Sequence, residues 1–348
     1  MADNSEHSAE EQMVRDNEGF LVSDDLRTGF ISGTVLKPTA VQYSAVDGLA
    51  VFEGDIILGT VEEMDRTSAE VQADAQSDDS GIAYSVAITG QKYRWPGALM
   101  PYVIDSGLPN KSRVTDAIAH WQAETNVRFV LRTSANASQY PNYVRVFKGN
   151  GCWSSVGMRG GKQEISLADG CGFGAAVHEF GHAWGLWHQQ SREDRDAYVT
   201  IKWANIQSGK SSNFNQHISD GDDIGAYDYS SIMHYGAYAF SKNGLPTIVA
   251  KQAGVTLGQR NGLTPGDVAA IHHIYRTTHR NLLCSRVYAT PHSKNAWAHF
   301  SGFGWRKVDS KSADGVTNVF ALLATARANG RRLDVQMDGS KIYAVYET

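Results

Sequence analysis

The string His178-Glu179-Phe180-Gly181-His182, followed by Gly185 and His188, constrains this chain more than any other feature. On a helix, residues at i and i+4 share a face, so His178 and His182 can turn both imidazoles toward one ion. Glu179 lies one residue along and can reach a water on that ion without being a ligand itself. Gly185 can adopt a left-handed conformation, which ends the helix and turns the chain. That turn lets His188 approach the same ion from another side. Three nitrogen ligands leave one position open for water, the requirement for a catalytic rather than a structural zinc. Three histidines packing separately would give no reason for a glycine where a turn is needed. The extended string is also far more specific than a bare HExxH. Downstream, SIMHYG places Met233 and Tyr235 after a polar loop. A methionine in a tight turn beneath the histidines supplies an apolar floor, although alone it reads as ordinary core packing.

The rest of the chain organises around this centre. A length of 348 residues suggests two or three domains. A hydrophobic content of 42% with 20% charged residues is ordinary for a globular protein. The net charge of -5 argues against nucleic acid as a partner, and no apolar run is long enough to span a membrane. The opening MADNSEHSAEEQ has no basic n-region and no apolar h-region. No signal peptide is therefore visible; either export does not use one or that segment has been trimmed. Residues 1 to about 85 are acidic, with short apolar runs between turns, and Ser68 to Ser80 reads as a mobile linker. From Lys92 the chain turns aromatic and β-like, with Pro96-Gly97 as a turn. Val114, Ala117, Ile118 and Trp121 fall at helical spacing behind Ser112, a candidate N-cap. VRFVLR and YVRVFK read as strands, and Phe173 to about Trp187 reads as one helix. Thr264-Pro265-Gly266-Asp267 is a helix start signal for a run through Ile274. After about Asn281 a helix ending at Asn329-Gly330 and a hairpin turning at Asp338-Gly339 predict a small α+β or β-rich domain.

Taken together, these motifs resemble the astacin family of metzincin zinc endopeptidases. HEFGHAWGLWHQQSREDRDAYVTI is similar to the family's extended zinc motif and SIMHYGAYAFSKNG to its Met-turn. GCWSSVG and ISLADGCGFG are similar to the strands and loop before the zinc helix. The resemblance covers about Lys92 to Ile274. It implies an α+β fold, a two-subdomain metzincin-type zinc protease with an N-terminal propeptide (1–85), a catalytic domain (86–281) and a small C-terminal domain (282–348). It also implies Zn2+ as cofactor, peptide or protein as substrate, and secretion. Tyr235 is similar to the family's tyrosine that lies near or on zinc and swings to stabilise the transition state. Cys152 and Cys171 match a family disulfide. Asn126 stands where the family usually has another cysteine, which leaves Cys284 without a partner. Gln189 replaces the usual Glu, which in the family pairs with the new amino terminus, so that ion pair is not expected here. Leu186 replaces the usual aromatic.

Phe52-Glu53-Gly54-Asp55-Ile56 is similar to the FxGD motif of astacin propeptides, in which the aspartate takes the zinc position that water needs. On its own it reads as a Gly-Asp turn between strands. The resemblance thus implies a latent precursor: His178, His182, His188 and Asp55 on the metal, Glu179 as general base, Tyr235 as oxyanion donor, and an activating protease cutting between Asp78 and Lys92.

Other features carry plainer readings. Asp220, Asp222 and Asp223 form an acidic loop without the spacing of a calcium cage. His272 and His273 point in different directions on one helix, and His217 and His234 read as structural. Arg260 either shapes the substrate cleft or serves the structure. Asn110-Lys111-Ser112 and Asn136-Ala137-Ser138 are glycosylation patterns. Trp297, Phe300, Phe303 and Trp305 either form a ligand face or fill the core of a small domain. The ligand-face reading supports a rival function, a binding or adhesion protein in which the zinc fold is a scaffold and the C-terminal domain does the work. A cell-wall amidase is a third possibility.

Overall fold

Alternation of buried and half-buried side chains, as along Tyr143–Phe147, is what a pleated strand imposes. The computed structural model describes residues 9–31, 39–74, 93–216, 223–291, 294–309, 313–337 and 341–347. Two compact units result, Met1–Ile271 and His272–Thr348, with helices and sheets mixed as an α+β chain requires.

The first unit opens with helix α1 (Ala9–Asn17). Four antiparallel strands follow, β1 (Leu26–Ile31), β2 (Thr39–Val46), β3 (Leu49–Phe52) and β4 (Ile56–Thr60). Asp47 and Gly48 both have positive φ at the β2–β3 connection, the backbone of a tight hairpin turn. Further along come β5 (Leu99–Ile104), β6 (Arg128–Leu131), β7 (Tyr143–Phe147), β8 (Cys152–Ser154) and β9 (Lys162–Leu167). All nine strands form one sheet in the order β1-β2-β3-β4-β8-β9-β7-β5-β6. The N-terminal and central parts join at a single parallel pair, Ile56 opposite Ser154. Two backbone bonds reinforce the seam: Ser154 donates to the Asp55 carbonyl (3.0 Å) and Cys152 to the Gly19 carbonyl (2.9 Å). The N-terminal segment is thus built into the sheet that precedes the histidine helix.

Helix α2 (Val61–Asp74) occupies the first half of the stretch expected to be a linker. Its start is a capping box in which Thr60 N–H reaches Glu63 Oε2 (2.8 Å) and Glu63 N–H reaches Thr60 Oγ1 (3.1 Å). Met64 anchors it in the core. Residues 75–92, including the expected processing interval from Asp78, lie outside the described residues. Helix α3 (Ser112–Glu124) buries Val114, Ala117, Ile118 and Trp121, the stripe its spacing predicts. Ser112 is not its N-cap. Lys111 holds that place, and the Ser112 hydroxyl bonds back to Asn110 Oδ1 (3.0 Å).

Helix α4 (Phe173–Trp184) carries the zinc motif and is buried along nearly its whole length. Trp121 and Trp95 pin it through indole N–H bonds to the Val177 carbonyl (3.1 Å) and the Ala183 carbonyl (2.8 Å). It ends three residues before the expected Trp187 because Gly185 takes φ 105°. Gly185 N–H then reaches the His182 carbonyl (2.7 Å) and Leu186 N–H the Gly181 carbonyl (3.0 Å), closing a Schellman cap. At the other end, a Cβ added to Gly174 would lie 1.9 Å from the Arg260 carbonyl oxygen. Gly174→Ala is therefore expected to lower stability by about 1–3 kcal/mol, read as an earlier urea midpoint with unchanged slope. Strands β10 (Val199–Ile201) and β11 (Ile248–Ala250) pair antiparallel. Helix α5 (Pro265–Ile274) starts with the Thr264 cap, whose hydroxyl accepts from Asp267 N–H (3.2 Å).

The second unit is a closed barrel of β12 (Thr277–Ala289), β13 (Ala296–Phe300), β14 (Gly304–Val308), β15 (Arg332–Met337) and β16 (Lys341–Glu347), in the order β12-β13-β14-β16-β15. Helix α6 (Ala313–Ala328) packs on it and ends before Gly330 at φ 61°. The expected hairpin is β15–β16; its turn at Asp338-Gly339 lies outside the described residues. Cys284 is free and buried in this core. Of the four aromatics, Phe300 is core and Phe303 packs against it, whereas Trp305 is exposed. Trp297 is half-buried, with its indole N–H on Asn295 Oδ1 (2.9 Å).

Candidate active site

The cap at Gly185 delivers His188 to the face of α4 that already carries His178 and His182. The His178 and His182 ring centroids are 4.7 Å apart, and His188 lies 4.7 Å from His182 and 5.3 Å from His178. Each Nδ1 is engaged from behind: His178 with the Ile232 carbonyl, His182 with the Leu186 carbonyl (both 2.8 Å), and His188 with Glu53 Oε2 (2.7 Å). A ring whose Nδ1–H is donated presents an Nε2 lone pair, so all three Nε2 atoms face one point.

Asp55 faces the same point. Its carboxylate lies 3.2 Å from His188 Nε2, 3.4 Å from His178 Nε2 and 3.8 Å from His182 Nε2. It stands at the tip of the β3–β4 hairpin, where Glu53 (φ 48°) and Gly54 (φ 79°) turn the chain. The FEGDI run is thus both a turn between strands and the element that inserts into the histidine cluster. Gly54 has no room for a side chain, since a Cβ would lie 2.7 Å from Phe240.

The donor set fits zinc. Asp55, His178, His182 and His188 are buried, and their ligand atoms lie within 4.8 Å of one another. His178 Nε2, His182 Nε2 and Asp55 Oδ1 are buried with no hydrogen-bond partner. Orphaned polar atoms converging in a buried site need an explanation, and a cation taking three imidazoles and a carboxylate supplies one. Burial, then Arg260, pushes the His178 pKa down to about 4; burial, then the neighbouring histidines, pushes His182 well below the usual range. Burial acts the same way on His188, but Asp55 and Glu53 outweigh it and raise that group to about 9. A metal ion there would displace the proton.

Glu179 lies on the same turn of α4, with Oε2 buried and unpartnered. Burial and then the Asp55 charge push its pKa well above the carboxylate range. Tyr235 packs against His188 with ring centroids 4.5 Å apart and donates its hydroxyl to the Glu53 carbonyl. Burial pushes that phenol pKa up as well, which keeps it a donor. Met233 lies under α4, where a Cβ on Gly181 would meet its Sδ at 2.5 Å. Cys152 and Cys171 are disulfide-bonded, with Cα atoms 5.9 Å apart. His234 is structural: its ring bonds the Tyr235 carbonyl and Tyr227 Oη, both at 2.7 Å. Arg260 donates to the Ile232 and His234 carbonyls (3.1 and 3.2 Å) and lines the cleft as well. Asp223 accepts from the Glu193 and Asp194 N–H groups (3.4 and 3.2 Å). Asp220, Asp222 and His217 lie outside the described residues.

The cleft beside the histidines, about 350 Å³, is lined by His178, Glu179 and Arg260 together with Asp16 and Phe20 of the N-terminal segment. Phe20 stacks on Phe240 (4.6 Å), Asp16 Oδ2 accepts from Tyr238 N–H (2.8 Å) and Asn17 Oδ1 from Phe240 N–H (2.7 Å). Sequence reasoning missed these residues and also Glu53 and Ser191, whose hydroxyl donates to Glu53 Oε1 (2.7 Å).

Blastula protease 10 of Paracentrotus lividus is 40% identical over 234 residues, 64% of this chain and 38% of that protein. Zinc metalloproteinase nas-15 of Caenorhabditis elegans is 39% identical over 231 residues, 64% of this chain and 39% of its own length. The chain therefore spans less than two fifths of either relative. High choriolytic enzyme 1, a hatching enzyme zinc-protease from Oryzias latipes (medaka), superposes with a TM-score of 0.47 at 36% identity, over 52% of this chain and 92% of that one. The family model for astacin, a peptidase family, matches residues 87–276, from just before β5 to just past α5. That stretch is more than half of the chain and contains the three histidines, Glu179, Met233 and Tyr235, so the chain belongs to the astacin family of zinc metallopeptidases.

Proposed function

We propose that this chain is the latent form of a zinc-dependent endopeptidase, held inactive by Asp55. The observation that carries this reading is the Asp55 carboxylate lying 3.2–3.8 Å from three histidine Nε2 atoms. A carboxylate there is a competent zinc ligand and takes the position a catalytic site must keep open for water. Zinc, when bound, supplies a Lewis acid that polarises the scissile carbonyl and brings the pKa of water to about 7.

The remaining steps belong to side chains. Glu179 takes the proton of the attacking water and delivers it to the leaving amine, acting as base and then as acid. Tyr235 donates to the oxygen that gains charge in the transition state, once its hydroxyl is released from the Glu53 carbonyl. A peptide or protein substrate lies extended in the cleft that α1 and Phe20 cover in the unprocessed chain. Release of that segment calls for an activating protease, with the cut expected between Asp78 and Lys92, as the resemblance implies. The Cys152–Cys171 bond supports an oxidising, secreted setting. The adhesion reading has less support, because Phe300 and Phe303 serve the barrel core rather than a ligand face.

Casein digestion by the processed protein tests the assignment. Activity is expected to fall to background with 1,10-phenanthroline and to return on adding zinc. Digestion that survives full metal removal would sink it.

A further inference from the structure

The three histidines differ in what holds them from behind. His178 and His182 are backed by the Ile232 and Leu186 carbonyls, which belong to the same part of the chain as the ligands. His188 is backed by the Glu53 carboxylate, 135 residues away and on the N-terminal segment. This carboxylate is fully buried. Its two oxygens are divided: Oε2 takes His188 Nδ1 and Oε1 takes the Ser191 hydroxyl, each at 2.7 Å. Ser191 follows His188 by one turn of chain, so Glu53 grips the ligand loop at two points. The grip depends on a residue other than glycine held at φ 48°, a conformation L side chains rarely adopt. At that φ the Glu53 and Asp55 carboxylates reach opposite nitrogens of the same imidazole.

We propose that Glu53 is a positioning residue for the metal in the unprocessed chain: its carboxylate fixes the His188 ring as a ligand and thereby raises zinc retention until the N-terminal segment is removed. A carboxylate behind a ligating histidine fixes the tautomer and raises the ligand's basicity, and its loss typically weakens metal binding 10- to 100-fold. The N-terminal segment then acts on the site twice, through Asp55 at the ion and through Glu53 behind His188. The carboxylate of Glu53 leaves with the segment, whereas the two carbonyls behind His178 and His182 remain.

The inference rests on the zinc reading above, and the test separates the two. Zinc retention of the full-length protein is measured against a chromophoric chelator, for wild type and Glu53→Ala. The expected result is one zinc per wild-type chain and roughly 10- to 100-fold weaker retention in the variant. The same drop is expected when Glu53→Ala is placed in an Asp55→Ala background, because Glu53 acts through His188 and not by steering Asp55. After proteolytic removal of the segment, both proteins become the same chain and their retention must coincide. Wild-type retention in Glu53→Ala overturns the proposal, and so does a drop that vanishes in the Asp55→Ala background. A difference that persists after processing marks misfolding and overturns it as well. Wild-type protein that binds no zinc overturns the zinc reading itself.

Discussion

Asp55→Ala in the unprocessed chain is expected to raise peptidase activity on the order of 10- to 100-fold. A contact made by an ionised group contributes about 1.5–3 kcal/mol, and each ~1.4 kcal/mol is a factor of ten. The rise should stop short of the processed enzyme. Phe20 still stacks on Phe240, and the Gly19 carbonyl still occupies Cys152 N–H, so substrate must compete with the rest of the segment. Cleavage of a short quenched peptide should therefore recover more than cleavage of casein. Cobalt substitution gives an independent check, because losing a carboxylate ligand changes the visible spectrum. Unchanged activity together with an unchanged cobalt spectrum would remove Asp55 from the ion.

The second large effect is expected at Glu179. Glu179→Ala in the processed protein should lower kcat about 10²- to 10⁴-fold, the range of a positioned acid–base group, while zinc content stays at the wild-type value. The two readings separate base from ligand: Glu179 belongs to α4 between two histidines, yet its Oε2 has no partner and Asp55, not Glu179, completes the four-residue donor cluster. The raised pKa of Glu179 arises from burial and from the Asp55 charge. On the proposed mechanism, removal of the segment is expected to relieve both and to return Glu179 toward the ionised form a base requires. Glu179→Ala with full activity would end its assignment as the base; a variant that also loses zinc would make it structural.

The convergence of the three histidines was legible in the sequence because its geometry is local. His178 and His182 are one helical turn apart and Gly185 marks the cap, so spacing alone implies convergence. Asp55 was legible only by resemblance, since a Gly-Asp turn gives no sign of what it faces. Glu53 was not legible: nothing local tells a charged residue at a hairpin tip that its partner lies 135 residues on. Helix α2 was a different kind of omission. Its T-x-x-E start, Thr60 to Glu63, is present in the sequence, but the small polar residues from Ser68 onward outweighed it and suggested a linker. The closing order of the C-terminal barrel depends on the parallel β14–β16 pairing, which joins strands on either side of α6 and leaves no local signature.

The seam between the N-terminal and central strands has a colloidal consequence. Cys152 and Ser154 spend their outward N–H groups on Gly19 and Asp55. Cutting the segment away turns an interior strand into a bare rim. Bare rims of sheets template pairing with any extended chain, a like molecule included. If the chain is processed as proposed, the trimmed form is therefore expected to self-associate more readily than the full chain.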